Sequence, residues 1–225
     1  MTTRANTGTG PGPITPDGCA VAFYVLLPPT GEAEITHQAI PLGSSVLELG
    51  CGTGRTLRRL AELGHPTLGV DESPDMLVHA ADLDTVCSPI QTLDLRRTFD
   101  AVLLASTLIN TPDPGLRTAM LKTARRHTAL GGSMIIQRHP LDWFDTLVPS
   151  SAERDGICYT IAAVHRDGPL LTATIEYRAD SRPWTHTFTA CRLTDDDLAS
   201  AVHNAGFEAI RWLAEDHSWV AATAT

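Results

Sequence analysis

The stretch Val46-Leu47-Glu48-Leu49-Gly50-Cys51-Gly52-Thr53-Gly54 constrains this chain more than any other part of it. A short apolar strand running into three alternate glycines must turn sharply and bring bare backbone close to a partner. A helix is expected next: Leu57, Leu60, Ala61 and Leu63 form an apolar stripe from Arg55 to Leu63, ended by Gly64. The spacing is G-x-G-x-G, whereas a dinucleotide fingerprint reads G-x-G-x-x-G. Glu48 at the mouth of the loop repels a pyrophosphate and attracts an ammonium or sulfonium charge. Both features disfavour a nicotinamide cofactor.

The rhythm set by this loop continues. Thr67 to Val70 reads as a second strand closing on Asp71, which lies 21 residues after Gly50. A carboxylate there can accept from both hydroxyls of a ribose. Ser73-Pro74 opens a helix, with serine as cap and proline at its first position. Pro89–Leu93 and Phe99–Leu104 read as further strands, and Asp113-Pro114 opens a long helix with Arg125, Arg126 and His127 in its last turns. Gly131-Gly132 is expected to end that helix, and Ser133–Gln137 to form a fifth strand. Strands alternating with helices predict an α/β fold with a mostly parallel sheet covered on both faces.

After Pro140 the pattern changes to three alternating stretches, 157–165, 170–178 and 184–192, separated by turn residues. These predict an antiparallel meander inserted at about 141–193. A capped helix from Thr194 to about Ala205 and strands at 207–213 and 218–224 then complete a single domain spanning 19–225. The Gly-, Pro- and Thr-rich residues 1–18 are expected to be a flexible N-terminal segment.

Composition removes several classes of function. Seventeen basic against 26 acidic residues give a net charge of −9, the wrong sign for a nucleic-acid binder. The longest apolar run, Ala20–Leu27, has 8 residues, far short of the ~20 of a membrane helix. No secretory signal is visible. Five widely spaced cysteines form no C-x-x-C pair, which argues against disulfides and zinc and fits a cytoplasmic protein.

Glu48 to Gly54, Gly69-Val70-Asp71 and Ser73-Pro74-Asp75-Met76-Leu77 together resemble the class I S-adenosylmethionine-dependent methyltransferases. Leu93-Asp94-Leu95, Phe99-Asp100 and Leu130-Gly131-Gly132 fall where that family has its later motifs. The resemblance implies a Rossmann-like sheet of seven strands, the last antiparallel, and S-adenosylmethionine as cofactor. It places Glu48, Gly50, Gly52 and Gly54 on the methionine part and Asp71 on the ribose. Met76 is expected against adenine, Asp94 at its exocyclic amine, the Leu95 backbone at a ring nitrogen, and Ala105-Ser106 along the methionine tail. Cys51 and Glu72 complete the cofactor set, though a small filler and a solvated acid are their plainer readings.

The expected reaction is methyl transfer to a nitrogen or oxygen of a small molecule, of the kind found in specialised metabolism. A peptide amine is an alternative acceptor. So is no transfer at all, in a cyclase, a lyase or a noncatalytic binding module. No acid stands at Ala105 or Ser106 to hold magnesium, so no metal is expected. Candidate acceptor residues are Tyr24, Asn110, Trp143, Trp184 and Phe188. His139 is a candidate base. His186 alternates with Trp184 and Phe188 and is the second titratable candidate. A monomer or homodimer is expected, with no nucleic acid or membrane as partner.

Overall fold

The computed structural model describes residues 6–225. It opens with β1 (Thr7–Thr9), one helical turn α1 (Val21–Tyr24), and α2 (Glu32–Ala39). The glycine loop joins β2 (Val46–Leu49) to α3 (Arg55–Glu62), and β3 (Thr67–Asp71) follows. Ser73 caps α4 (Pro74–Leu77) by accepting from the Met76 N–H, and Pro74 supplies the preset φ of a first helical position. Next come β4 (Thr85–Cys87), β5 (Phe99–Leu104) and α5 (Pro114–His127), the last capped by the Asp113 carboxylate on the Gly115 and Leu116 N–H groups. β6 (Thr128–Gln137) starts at once, because Thr128 is already extended. The helix therefore ends before Gly131-Gly132, and those glycines lie inside the strand. After α6 (Trp143–Thr146) come β7 (Ser150–Arg154), β8 (Ile157–Asp167), β9 (Leu170–Ala179) and β10 (Arg182–Cys191). A capping box between Thr194 and Asp197 starts α7 (Asp195–Asn204), and β11 (Phe207–Trp212) and β12 (Trp219–Ala224) close the chain.

Seven strands form the main sheet in the order β11-β12-β6-β5-β2-β3-β4. Only the pairings of β12 are antiparallel, so the expected sheet and its reversed last strand are both present. Strand parity separates two apolar layers. Leu47, Leu49, Val102, Leu104, Met134 and Ile136 pack with α5 and α7. Val46, Ala101, Leu103 and Ile135 pack with Ala33 of α2 and Leu60 of α3. Sequence order reverses between β2 and β5, so a crevice opens at the carboxyl ends of those two strands.

Two expectations need correction. The strand expected at 89–93 is displaced: β4 occupies Thr85–Cys87, and Ile90–Thr92 form a 3-10 turn. Pro89 has no N–H to give a ladder, whereas Thr85 and Val86 are β-branched. The insert has four strands, not three, and the N-terminal segment adds a fifth, giving the antiparallel order β1-β10-β9-β8-β7. From Asn6 onward the segment expected to be flexible is tied down; its first five residues lie outside the described residues. The Asn6 Oδ1 accepts from the Thr189 N–H at 3.1 Å, and the Trp184 indole N–H donates to the Pro11 carbonyl at 3.0 Å. A Cβ on Gly10 would stand 2.4 Å from the Trp184 ring, so glycine permits the approach. Among the described residues no helix is long and apolar enough to cross a membrane.

Candidate functional site

The three loop glycines take φ values of +80°, +55° and +77° at Gly50, Gly52 and Gly54, where L side chains are strained. A Cβ at Gly50 would also meet Leu108 at 2.5 Å, whereas the equivalent position at Gly52 is open. Beneath the loop, Glu48 is 4 % exposed and its Oε2 has no hydrogen-bond partner. Burial pushes its carboxyl up to about 8, against the pull of the nearby Arg55 guanidinium. The strand puts Glu48 on the same face as Val46, toward α2 and α3. Cys51 is buried, and its sulfur sits where a Cβ on Gly69 would come within 2.6 Å of it. Burial and the Glu48 charge push its thiol up, so it is a filler and not a nucleophile.

Asp71 ends β3 with both carboxylate oxygens engaged. Its Oδ2 accepts from the Gly52 N–H at 2.8 Å and its Oδ1 from the Ser73 N–H at 2.9 Å. Each oxygen keeps a second lone pair, so the carboxylate shapes the loop and remains able to accept from a diol. Burial raises its pKa and those two N–H groups oppose the rise. Asp17, from the N-terminal segment, adds negative charge beside Asp71 and Glu72. Glu72 itself is exposed at the rim. Met76 is 3 % exposed and packs with Cys19, Val21 and Tyr24, so the N-terminal segment roofs this end of the crevice. The Cys19 thiol donates to the Tyr24 hydroxyl at 3.1 Å and is pushed up to about 12, chiefly by burial.

The adenine-side candidates have partners within the chain. The Asp94 Oδ1 accepts from the Arg96 N–H at 3.1 Å, a local turn on the surface. The Leu95 N–H donates to the Nε2 of His127 at 3.0 Å, and the other ring nitrogen of His127 is 2.8 Å from the Thr123 carbonyl. That N–H is therefore committed to α5. Ala105 is buried, with its side chain in the layer against α2 and α3. Ser106 is where the sequence placed it, at the end of β5, but its neighbourhood holds a surprise. Ser106 and Thr107 have φ of +54° and +55°, and the Ser106 N–H donates to the Gln137 Oε1 at 2.7 Å. Two adjacent non-glycine residues in this region are strained, and Gln137 is the clamp. Nothing in the sequence marked it beyond its place at a strand end.

On the acceptor side, His139 stacks on Trp143 with centroids 3.8 Å apart and planes 6° from parallel. Phe188 is almost equidistant from the two, at 6.5 Å and 6.4 Å, so it stands beside the stack and not over it. Burial lowers the His139 pKa to about 4. His186 touches Phe188 at 5.3 Å, and its Nε2 lies 3.2 Å from the Asp17 carbonyl. Burial lowers its pKa as well. Three acceptor candidates are engaged in contacts within the chain. Trp184, 1 % exposed, is packed under the N-terminal segment against Phe23. Asn110 is a buried clamp: its Nδ2 donates to the Cys191 carbonyl and its Oδ1 accepts from the His139 N–H, both at 2.9 Å. Tyr24 is sunk against Phe23 and Met76, and its hydroxyl is held by Cys19.

A cleft of about 300 Å³ opens beside the crevice and not within it, between Val25, Leu27 and Pro29 on one side and Thr53, Arg55 and Arg58 on the other. Only its Thr53–Arg55 wall belongs to the glycine loop. The loop's own geometry, with its orphaned acid and its switch-point position, is the stronger mark of a site.

Comparison with known proteins agrees with the geometry. Residues 46–132 match the methyltransferase-domain family. A ubiquinone biosynthesis O-methyltransferase of Bradyrhizobium diazoefficiens is 29 % identical over 109 residues, covering 45 % of this chain and 42 % of that protein. The match thus spans less than half the length of the curated relative. The sugar N-methyltransferase KedS8 of Streptoalloteichus superposes with a TM-score of 0.71 at 22 % identity, over 87 % of each chain. The amino pentose methyltransferase CalS10 of Micromonospora echinaspora gives 0.71 at 21 % identity, over 91 % of this chain and 95 % of that one. At such identities the likeness is one of fold.

Proposed function

From a chain whose residues 46–132 are a methyltransferase domain set in the class I S-adenosylmethionine-dependent fold, we propose a methyltransferase that acts on a nitrogen of a small molecule in specialised metabolism. The observation that carries the reading is the unpartnered Glu48 Oε2, buried beneath a glycine loop at the switch point. An uncompensated buried carboxylate is costly, and a cationic ligand group relieves it. The residues fit an S-adenosyl group. Glu48 would hold its ammonium, Gly52 leaves it open space at the backbone, and Asp71 keeps free lone pairs for its ribose.

When bound, S-adenosylmethionine supplies a methyl already activated on a sulfonium, so the protein's work is orientation and exclusion of water. The wall of His139, Trp143 and Phe188 does both. The choice of nitrogen rests on His139. With its pKa near 4 the imidazole stays neutral at neutral pH and is too weak a base to ionise an alcohol. A neutral amine attacks without prior ionisation and needs only a hydrogen-bond acceptor to aim its lone pair, which a neutral imidazole supplies. The aromatic faces also stabilise the positive charge that develops on nitrogen as the methyl arrives, by roughly 0.5–2 kcal/mol. The amino-sugar and sugar N-methyltransferases of the same fold are consistent with this choice.

The test is direct. The purified protein is incubated with S-adenosylmethionine and a matched panel of small amines, amino sugars and their hydroxyl counterparts, and products are read by mass spectrometry. N-methylated product is expected. Exclusive O-methylation would overturn the assignment to nitrogen, and S-adenosyl binding without any methylated product would favour a binding module or a lyase.

A further inference from the structure

On the inner face of the insert sheet, residues paired across β8, β9 and β10 fall into rows. Tyr159, Tyr177 and Trp184 make one row. Phe23 of α1 covers it, stacked on Tyr177 at 4.0 Å and edge-on to Tyr159 at 6.3 Å. Val164, Ala173 and Phe188 make another, covered by Trp143 and Phe144 of α6. Between the two runs a third row, Ile161, Ile175 and His186. Its isoleucines are half-buried and join none of the apolar clusters among the described residues. One end of this middle row is closed. There β1 places Gly8 beside His186, the Gly18 carbonyl sits where a Cβ on Gly8 would come within 1.9 Å, and the Asp17 carbonyl lies 3.2 Å from the His186 Nε2. The other end opens past the exposed Ser150 of β7. Rows repeat every ~7 Å along a strand and strands lie ~5 Å apart, so the uncovered strip has room for a ring laid flat. It is continuous with the acceptor wall, because His186 touches Phe188 at 5.3 Å and Phe188 stands 6.5 Å from His139.

We propose that Ile161 and Ile175 are the floor of a slot for the body of the acceptor, and that the acceptor is an amine carried by an aromatic or hydrocarbon ring and not an amino sugar. The ring lies on the isoleucines, and a short arm carries the nitrogen past Phe188 to His139. This inference rests on the reading of the protein as an N-methyltransferase and names its substrate class. The argument is one of hydrogen bonds. Of the three floor residues only His186 can make one, and its Nε2 already faces the Asp17 carbonyl. A pyranose laid there loses water from several hydroxyls and recovers one partner at most. An apolar ring loses no hydrogen bond, and it takes the half-exposed isoleucines out of water.

Two amines separate the possibilities, 2-phenylethylamine and glucosamine. Each is offered with S-adenosylmethionine to the wild type, Ile161→Thr, Ile175→Thr and the double variant. Threonine keeps the β-branch that suits a strand, and thermal melts check folding. Methylated product read by mass spectrometry gives kcat/KM. Calorimetry on the S-adenosylhomocysteine-loaded protein gives the affinity for each amine without turnover. The wild type is expected to favour phenylethylamine by about tenfold or more. The double variant should lose about tenfold for that amine, chiefly in KM, and keep glucosamine and S-adenosylhomocysteine within about twofold. A wild type that favours glucosamine, or binds neither amine, would overturn the proposal. Equal losses for both amines in the double variant, or no loss for either, would overturn it too and make the isoleucines sheet packing alone. Phenylethylamine that binds with the expected variant pattern but is never methylated would sink the methyl-transfer reading and leave the slot standing. Methylation of glucosamine alone would do the reverse.

Discussion

Three carboxyl and imidazole groups at single positions frame the proposed chemistry, and burial shifts the pKa of each. Glu48, raised to about 8, is protonated in the ligand-free protein at neutral pH. Its folded pKa exceeds the ordinary carboxyl value, so the native state holds more protons than the unfolded chain between roughly 4.5 and 8. Its contribution to stability therefore falls as pH rises through that window. Ligand binding has the opposite sign. An ammonium needs the ionised carboxylate, so S-adenosylhomocysteine should bind more tightly as pH rises from 6 to 8 and release a proton on binding. Calorimetry in buffers of different ionisation enthalpy checks this, and Glu48→Gln should abolish the proton release. His139, lowered to about 4, should give no acid limb in kcat between pH 5.5 and 7. A limb near pH 6.5 that vanishes in His139→Gln would show that the imidazole titrates in the wet range after all. Asp71 has two duties, so Asp71→Ala mixes them: it removes an acceptor for the ribose and also unties the Gly52 and Ser73 N–H groups. S-adenosylhomocysteine affinity should fall by about tenfold or more. Asp71→Asn, which keeps one carbonyl oxygen, should lose less.

Elements explain why the sequence was readable in some places and opaque in others. β2, α3, β3 and the capped start of α4 are local statements: apolar runs, glycines at fixed offsets and a Ser-Pro cap specify them without help. The proposed cofactor side could be placed for the same reason, since Glu48, Gly50, Gly52 and Asp71 stand at the ends of those elements. β7 and β1 were not legible. Ser-Ser-Ala-Glu-Arg and Thr-Gly-Thr carry no apolar alternation; each is a strand only because a neighbour offers its edge. The commitment of the Leu95 N–H to His127 spans 32 residues and leaves no local trace. The Ser106–Thr107 turn is similar, since its cause is a glutamine 31 residues away. Gln137→Leu removes the acceptor for the exposed Ser106 N–H, a loss of roughly 0.5–1.5 kcal/mol. The turn also sets Leu108 against Gly50, so this variant should lower kcat/KM while shifting Tm by only a few degrees, with Gln137→Glu closer to wild type. Gly10→Val meets both a positive φ and the Trp184 ring. It should release the N-terminal strand, seen as new protease cleavage near residues 6–20, and should weaken S-adenosylhomocysteine binding because Cys19 and Val21 roof Met76.

At the scale of the whole molecule, the proposed donor site lies on one sheet and the proposed acceptor wall draws on the other, with buried clamps joining them. The Arg138 side chain, 1 % exposed, donates to the Leu193 carbonyl at the exit of the insert and to the His217 carbonyl before β12, and pairs with Asp195 at the start of α7. Asn110 makes the matching tie between Cys191 and His139. This division predicts that Phe188→Ala leaves S-adenosylhomocysteine affinity within about twofold while lowering turnover tenfold or more, the signature of lost acceptor contacts alone. His186→Ala should act similarly but more weakly, and any loss of cofactor affinity in it would trace to its contact with the Asp17 backbone.

The pairing of β1 with β10 also governs when the molecule can be finished. The bond from Trp184 to the Pro11 carbonyl joins residues 173 apart in the chain. At about 5–20 residues per second, a ribosome needs roughly ten to thirty-five seconds to cover that distance. Throughout this interval the segment that will roof Met76 has no strand to pair with, although the glycine loop and β3 have long since emerged. The crevice is thus built open and closed late, by a segment synthesised first and docked last. Nascent chains arrested before residue 182 should therefore expose that segment to protease, and chains released after residue 191 should protect it.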